Sequence, residues 1–114
     1  MGRILHKYYT RIIGIAFLLI VFSLIFDYLQ FGYHAETWHK IFHILIGGFV
    51  VGWGWNNKKF WKPFCMVNGI FFLAVAGFGW IFPNFHGIDA FNLVDTILHS
   101  VVGVAGLVVG LMKD

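Results

Sequence analysis

Trp38 to Gly52 reads W-H-K-I-F-H-I-L-I-G-G-F-V-V-G, and this stretch decides how the chain folds. Its pattern returns in Val94 to Gly110, V-D-T-I-L-H-S-V-V-G-V-A-G-L-V-V-G. In each copy a histidine follows Ile-Phe or Ile-Leu in an apolar run, and a glycine follows four residues later. The pairs are His43 with Gly47 and His99 with Gly103. Residues four apart share one face of a helix, so each copy predicts a helix that buries an imidazole one turn from a small residue.

Working outward, the rest of the chain is equally apolar. Of 114 residues, 60% are hydrophobic and 11% charged, against about 25% charged in ordinary soluble domains. A chain this short leaves much of its surface exposed, so lipid rather than water must cover it. The aromatic share is 20%, with fourteen Phe and five Trp, and Trp favours the interfaces of a bilayer. The net charge of +3 does not point to nucleic acid, because the basic residues form no single stripe. The single Cys65 rules out an internal disulfide. The basic start, followed by an apolar run without a small-x-small cleavage site, predicts an uncleaved first span.

Four spans are expected, over about residues 11–31, 38–55, 63–82 and 92–112, each near the 20 residues that cross a hydrocarbon core. Pro63 suits a first helical turn, Pro83-Asn84 stops the third helix, and Asn92 suits an N-cap. The connections are short, so the fold expected is a single all-α membrane domain, a four-helix up-and-down bundle. Arg3, Lys7, Arg11, Lys58, Lys59, Lys62 and Lys113 fall on one side and only Lys40 on the other. The excess of Lys and Arg on cytoplasmic loops then places both termini in the cytoplasm.

Gly14-Ile15-Ala16-Phe17-Leu18 aligns with Gly69-Ile70-Phe71-Phe72-Leu73, which predicts two repeated helical hairpins related by an axis along the membrane normal. His43 and His99 are then expected at one depth, about 7–10 Å inside their helices. Gly48-x-x-x-Gly52 and Gly106-x-x-x-Gly110 read as internal packing, with a homodimer or other membrane subunits as the alternative use of such faces.

His34, His39, His43, His86 and His99 gather on the outer side with Asp27, Glu36, Asp89 and Asp95. Such residues inside a membrane helix are functional candidates. Two imidazoles at matched depth suit bis-histidine haem, with Gly47 and Gly103 leaving room for a flat macrocycle. A transition metal held by His39, His43, Asp95 and His99 is the second reading. A proton or ion path is the third, opposed by the expectation that the cytoplasmic half holds no ionisable residue inside the helices. His6, Tyr8 and Tyr9 read there as interface anchors, and Asn68 as a lone amide that joins helices. Plain packing is the bland alternative for the histidines. Ser23 and Ser100 are isolated, and Cys65 lies away from the outer histidines, so no nucleophile–base pair is expected.

The H-x-x-x-G of the second span, and N-L-V-D-T-I-L-H-S-V-V-G from Asn92 to Gly103, resemble a family of small four-span bacterial membrane proteins known as domain of unknown function 4383. The resemblance implies a multi-pass protein of a bacterial or archaeal membrane and implies no activity. The reading from the residues is a non-enzymatic binding or accessory protein with an outward histidine pocket. A structural subunit of a larger membrane complex is its alternative.

Overall fold

The computed structural model describes residues 2–33, 35–85 and 91–113, with the backbone alone for Ala35 and Glu36. Four α-helices are described: α1 Gly2–Phe31, α2 Ala35–Phe49, α3 Lys58–Ile81 and α4 Leu93–Leu111. α2 continues as a π-helix over Val50–Gly54. Three of the helices, α1, α3 and α4, are long and apolar enough to cross a membrane. α2 alone has 15 residues.

Each boundary has a local cause. α1 starts nine residues before the expected span, because the basic segment Arg3–Arg11 is itself helical. It ends at Gly32, whose φ of 73° is open to glycine without steric cost, and whose N–H reaches the Tyr28 carbonyl at 2.8 Å. α3 begins at Lys58 rather than Pro63. Asn57 caps it by accepting from the Lys59 N–H at 3.2 Å, which places Pro63 inside the helix. Asn92 caps α4 by accepting from the Asp95 N–H at 2.7 Å.

The last carbonyls of the π turn have no partner within the helix, as at any helix end, and side chains take them, with the Asn57 N–H also reaching the Gly54 carbonyl at 3.3 Å. Trp61 Nε1 donates to the Gly54 carbonyl at 2.9 Å. Arg11 donates to the Trp55 carbonyl at 3.2 and 3.1 Å and to Asn56 Oδ1 at 2.8 Å.

α1 packs chiefly on α2, and α3 on α4. α1 also touches α3 and α4 and so lies centrally. The Cα envelope measures 44 × 32 × 14 Å, a flattened bundle more than twice as wide as it is thick. The helices are held together by close backbone approach. Glycines supply it. A Cβ on Gly47 would lie 2.8 Å from the Gly14 carbonyl oxygen and 2.7 Å from the Leu18 nitrogen. A Cβ on Gly103 would lie 3.1 Å from the Gly69 carbonyl oxygen and 2.8 Å from the Leu73 nitrogen. Gly106 and Gly110 are likewise filled from inside, by Tyr9 and Met66, whereas Gly48 and Gly52 face open space. The corresponding helices differ in length, α1 with 30 residues against 24 in α3 and α2 with 15 against 19 in α4, and among the described residues only α2 carries a π end.

The core centres on Ile13, Phe17 and Phe72. Thr10 and Cys65, both fully buried, meet in the same α1–α3 seam with Oγ1 and Sγ 3.8 Å apart.

Candidate functional site

α1, α2 and α4 leave a cavity of about 430 Å³ near the end that carries the α1–α2 turn. Its wall is apolar along Ile13, Ala16, Phe17, Ile20, Leu98 and Val102. Set into that wall are His39, Lys40, His43, Asp95 and His99. The structure therefore brings together the four residues expected as ligands. His34, His86 and Asp89, and the side chain of Glu36, lie outside the described residues.

His43 is the most deeply placed of the four, 6% exposed. Its ring lies 4.5 Å from Phe17 and 4.5 Å from His39, centroid to centroid. Its Nε2 is 2.8 Å from His39 Nε2, the approach that i, i+4 spacing on α2 allows. Its Nδ1 has no hydrogen-bond partner among the described residues. Across the bundle the His43 ring stacks on Phe72 at 5.9 Å and 10°, and His99 stacks on the same phenyl at 5.1 Å and 26°. Both imidazoles thus stand level with one residue of α3.

That shared phenyl changes the expected chemistry. What the two imidazoles have in common is an aromatic ring, where bis-histidine haem ligation needs a slot. The room expected beside Gly47 and Gly103 is also taken, by the backbones of α1 and α3, so neither glycine lines the cavity. Among the described residues no three His, Cys, Asp or Glu side chains are grouped to hold a metal ion. The set His39, His43, Asp95 and His99 therefore shares a wall without forming a coordination sphere.

Lys40 supplies a feature that the sequence did not single out. Its Nζ donates to Ser23 Oγ at 2.7 Å and pairs with the Asp27 carboxylate. Both charged side chains are mostly covered, at 15% and 27% exposure. The i, i+4 arithmetic used for His39 and His43 is blind to this pair, because it joins two helices.

A smaller cavity of about 180 Å³ lies on the other side of Phe72, lined by His39, Phe42, His43, Phe71, Phe72, Val75, Phe91 and His99. In the alignment of the two halves, Phe71 stands where Ala16 stands and Phe42 where Leu98 stands. Larger residues therefore fill on one side the space that is open on the other.

The terminal half holds a second polar group, and here the sequence expectation fails. His6 is 1% exposed and Thr10 0%. Tyr9 Oη donates to the Val102 carbonyl at 2.9 Å and accepts from Asn68 Nδ2 at 2.9 Å. Cys65 Sγ donates to the His6 carbonyl at 3.6 Å. His6 and Tyr9 are not interface anchors: with α1 starting at Gly2, both fall on the helix face turned towards α3. Tyr8, 52% exposed, points away. Ser100 donates to its own helix at Thr96 O, 2.8 Å, and accepts from Trp80 Nε1 at 3.0 Å, so it serves structure.

Comparison with protein-family models, with curated proteins and with solved structures yields no match to this chain.

Proposed function

We propose that the chain is a multi-pass membrane protein with four crossings and both termini cytoplasmic. Its role in this reading is non-enzymatic: the larger histidine-walled cavity binds a small ligand with an apolar body and a polar head. The carrying observation is that five ionisable side chains and Ser23 stand in the mainly apolar wall of one cavity of about 430 Å³, within the range of about 300–1,000 Å³ usual for small-molecule sites. Ionisable groups are costly at such depth and are retained chiefly for function. Haem held by the His43 imidazole alone, beside the Phe72 ring rather than across it, belongs to this ligand class and is the natural probe. A bare transition-metal ion is less well served by the donors present.

The fourth crossing is supported by the π continuation, which carries α2 from Ala35 to Gly54, enough at 1.5 Å per residue to approach a 30 Å core. An origin from two copies of one hairpin is supported by matched contacts. Gly47 meets Gly14 and Leu18 as Gly103 meets Gly69 and Leu73, and His43 meets Phe17 as His99 meets Phe72. Kinship with the four-span bacterial family belongs to the same proposal and adds no activity.

The test is absorption and metal analysis of the purified protein, followed by titration with haem b and with zinc. The reading expects a haem Soret shift that is lost in His43→Ala and weakened in His99→Ala. A colourless, metal-free protein whose melting is unchanged by either addition would overturn it.

A further inference from the structure

We infer that the occupant of the larger cavity is an uncharged single-chain lipid with a hydroxyl or carbonyl head, and that it enters sideways from the bilayer between α1 and α4. The inference rests on the membrane and cavity readings above and adds to them the ligand's class and its route.

α1 and α4 meet at the terminal end. There a Cβ on Gly2 would run into the Lys113 carbonyl, and Tyr9 Oη donates to the Val102 carbonyl at 2.9 Å. Towards the α1–α2 turn the cavity stands between the two helices, with Ala16, Ile20 and Ser23 on one side and Asp95, Leu98 and Val102 on the other. Ala16 and Leu98 line the cavity and are also exposed on the outer surface, so they form the lips of an opening in the side of the bundle. The exposed neighbours one turn from each lip are Ile12 and Leu19 on α1 and Val94 and Val101 on α4. All four are aliphatic. A ligand dissolved in the bilayer meets this rim directly, whereas one dissolved in water does not.

The wall has a polar end and an apolar end. From Ser23 to Ile13 it runs ten residues along α1, about 15 Å at 1.5 Å per residue. Ser23, His39, Lys40 and Asp95 stand at the end near the α1–α2 turn, and Ile13 and Val102 close the other. With that turn on the outer side, this is the order of polarity of a lipid in the outer leaflet, so a bilayer lipid can slide in without turning over. The volume, towards the low end for small-molecule sites, suits one chain. The head follows from the charges. Lys40 is the one Lys or Arg in the wall, and Asp27 and Ser23 already hold its ammonium. Asp95 is engaged in contacts of its own. An anionic head would have to displace Asp27 from Lys40, and a cationic head would have to draw Asp95 away. A charge buried without a partner is costly. A hydroxyl or carbonyl asks only for hydrogen bonds, which the Ser23 hydroxyl and the imidazoles can give or take.

The experiment uses the full chain in phosphatidylcholine liposomes loaded with hexadecanol that carries a diazirine in its chain, or with the matching hexadecanoic acid. After illumination, mass spectrometry locates the adducts. The alcohol is expected to mark Ala16, Ile20, Leu98 and Val102 above the outer flank at Phe22 and Val108. Excess plain hexadecanol is expected to suppress the first group and spare the second. At alkaline pH, where its head is ionised, the acid is expected to mark the cleft severalfold less than the alcohol does. Ala16→Phe and Leu98→Trp, shown to be folded by melting in micelles, are expected to lose the cleft adducts and keep those of the flank. Adducts spread evenly over cleft and flank, or folded variants marked like wild type, would overturn the lipid. An acid that marks the cleft as strongly as the alcohol would overturn the uncharged head. Adducts beside His39 and Asp95 with none at Ala16 or Leu98 would overturn the sideways route. Failure of the alcohol together with a positive haem titration removes this inference and leaves the binding reading standing.

Discussion

His39 and His43 hold their Nε2 atoms 2.8 Å apart on adjacent turns of α2, while the Nδ1 of His43 is buried without a hydrogen bond among the described residues. A buried polar group left unpaired costs about 1–3 kcal/mol. If the ring is there for a ligand, His43→Leu should leave thermal stability in micelles unchanged or raised by an amount in that range, while haem uptake disappears. A clear loss of melting temperature in His43→Leu would return His43 to a packing role.

The two cavities flanking Phe72 differ through Ala16 and Phe71. Ala16→Phe should fill the larger cavity and weaken ligand binding by more than about tenfold, or about 1.4 kcal/mol. Phe71→Ala should leave that binding intact. Isothermal titration of both variants checks this, and equal losses in the two would mean that the larger cavity is not the site.

The glycines divide into two classes that measurement can separate. Gly69→Leu and Gly103→Leu force side chains into the α3–α4 contact, where a Cβ alone would lie 2.4 and 2.8 Å from backbone or side-chain atoms. Overpacking of this sort costs about 1–3 kcal/mol or more. Gly48→Ala and Gly52→Ala meet open space and should be neutral, or stabilising by up to about 1 kcal/mol through helix propensity. Chemical unfolding in mixed micelles gives the comparison.

Arg11 closes the π end of α2. Its guanidinium holds the Trp55 carbonyl twice, reaches Asn56, and lies over the Trp55 ring at 4.6 Å. Arg11→Ala should cost about 1.5–3 kcal/mol, as for hydrogen bonds to charged groups. Arg11→Lys should recover little of this, because one ammonium cannot reproduce the planar fork. Melting curves of the two variants decide it.

Orientation is tested by cysteine labelling on a Cys65→Ser background. A membrane-impermeant maleimide added to intact cells should label Asn84→Cys and leave Lys58→Cys unlabelled. The reverse pattern would invert the topology.

Helical character, the i, i+4 pairs His39–His43 and Asp95–His99, and the Asn92 cap were all legible in the sequence, because each depends on spacing within one helix, and the repeat brought the two pairs to one end. What escaped depends on contacts between helices. Gly47 reads equally well as room for a ligand and as a seat for the backbone of α1, and only the crossing of α1 and α2 decides. His6 and Tyr9 read as anchors as long as the first helix was placed near residue 11. The helix starts at Gly2, so both face inward and add polar groups to the terminal half. The Lys40–Asp27 pair and the shared Phe72 likewise join helices that no periodicity relates.

A body 32 Å wide and 14 Å thick has little interior. Phe22 and Leu29 on α1, Leu45 and Phe49 on α2, Val67 and Ile81 on α3, and Val101 and Val108 on α4 all present broad hydrophobic flanks. In the membrane reading proposed above, acyl chains finish the packing that other proteins finish with their own side chains. Lipid tail length, through its match to these flanks, then becomes a variable of the protein's stability in its own right, as temperature is for a water-soluble one.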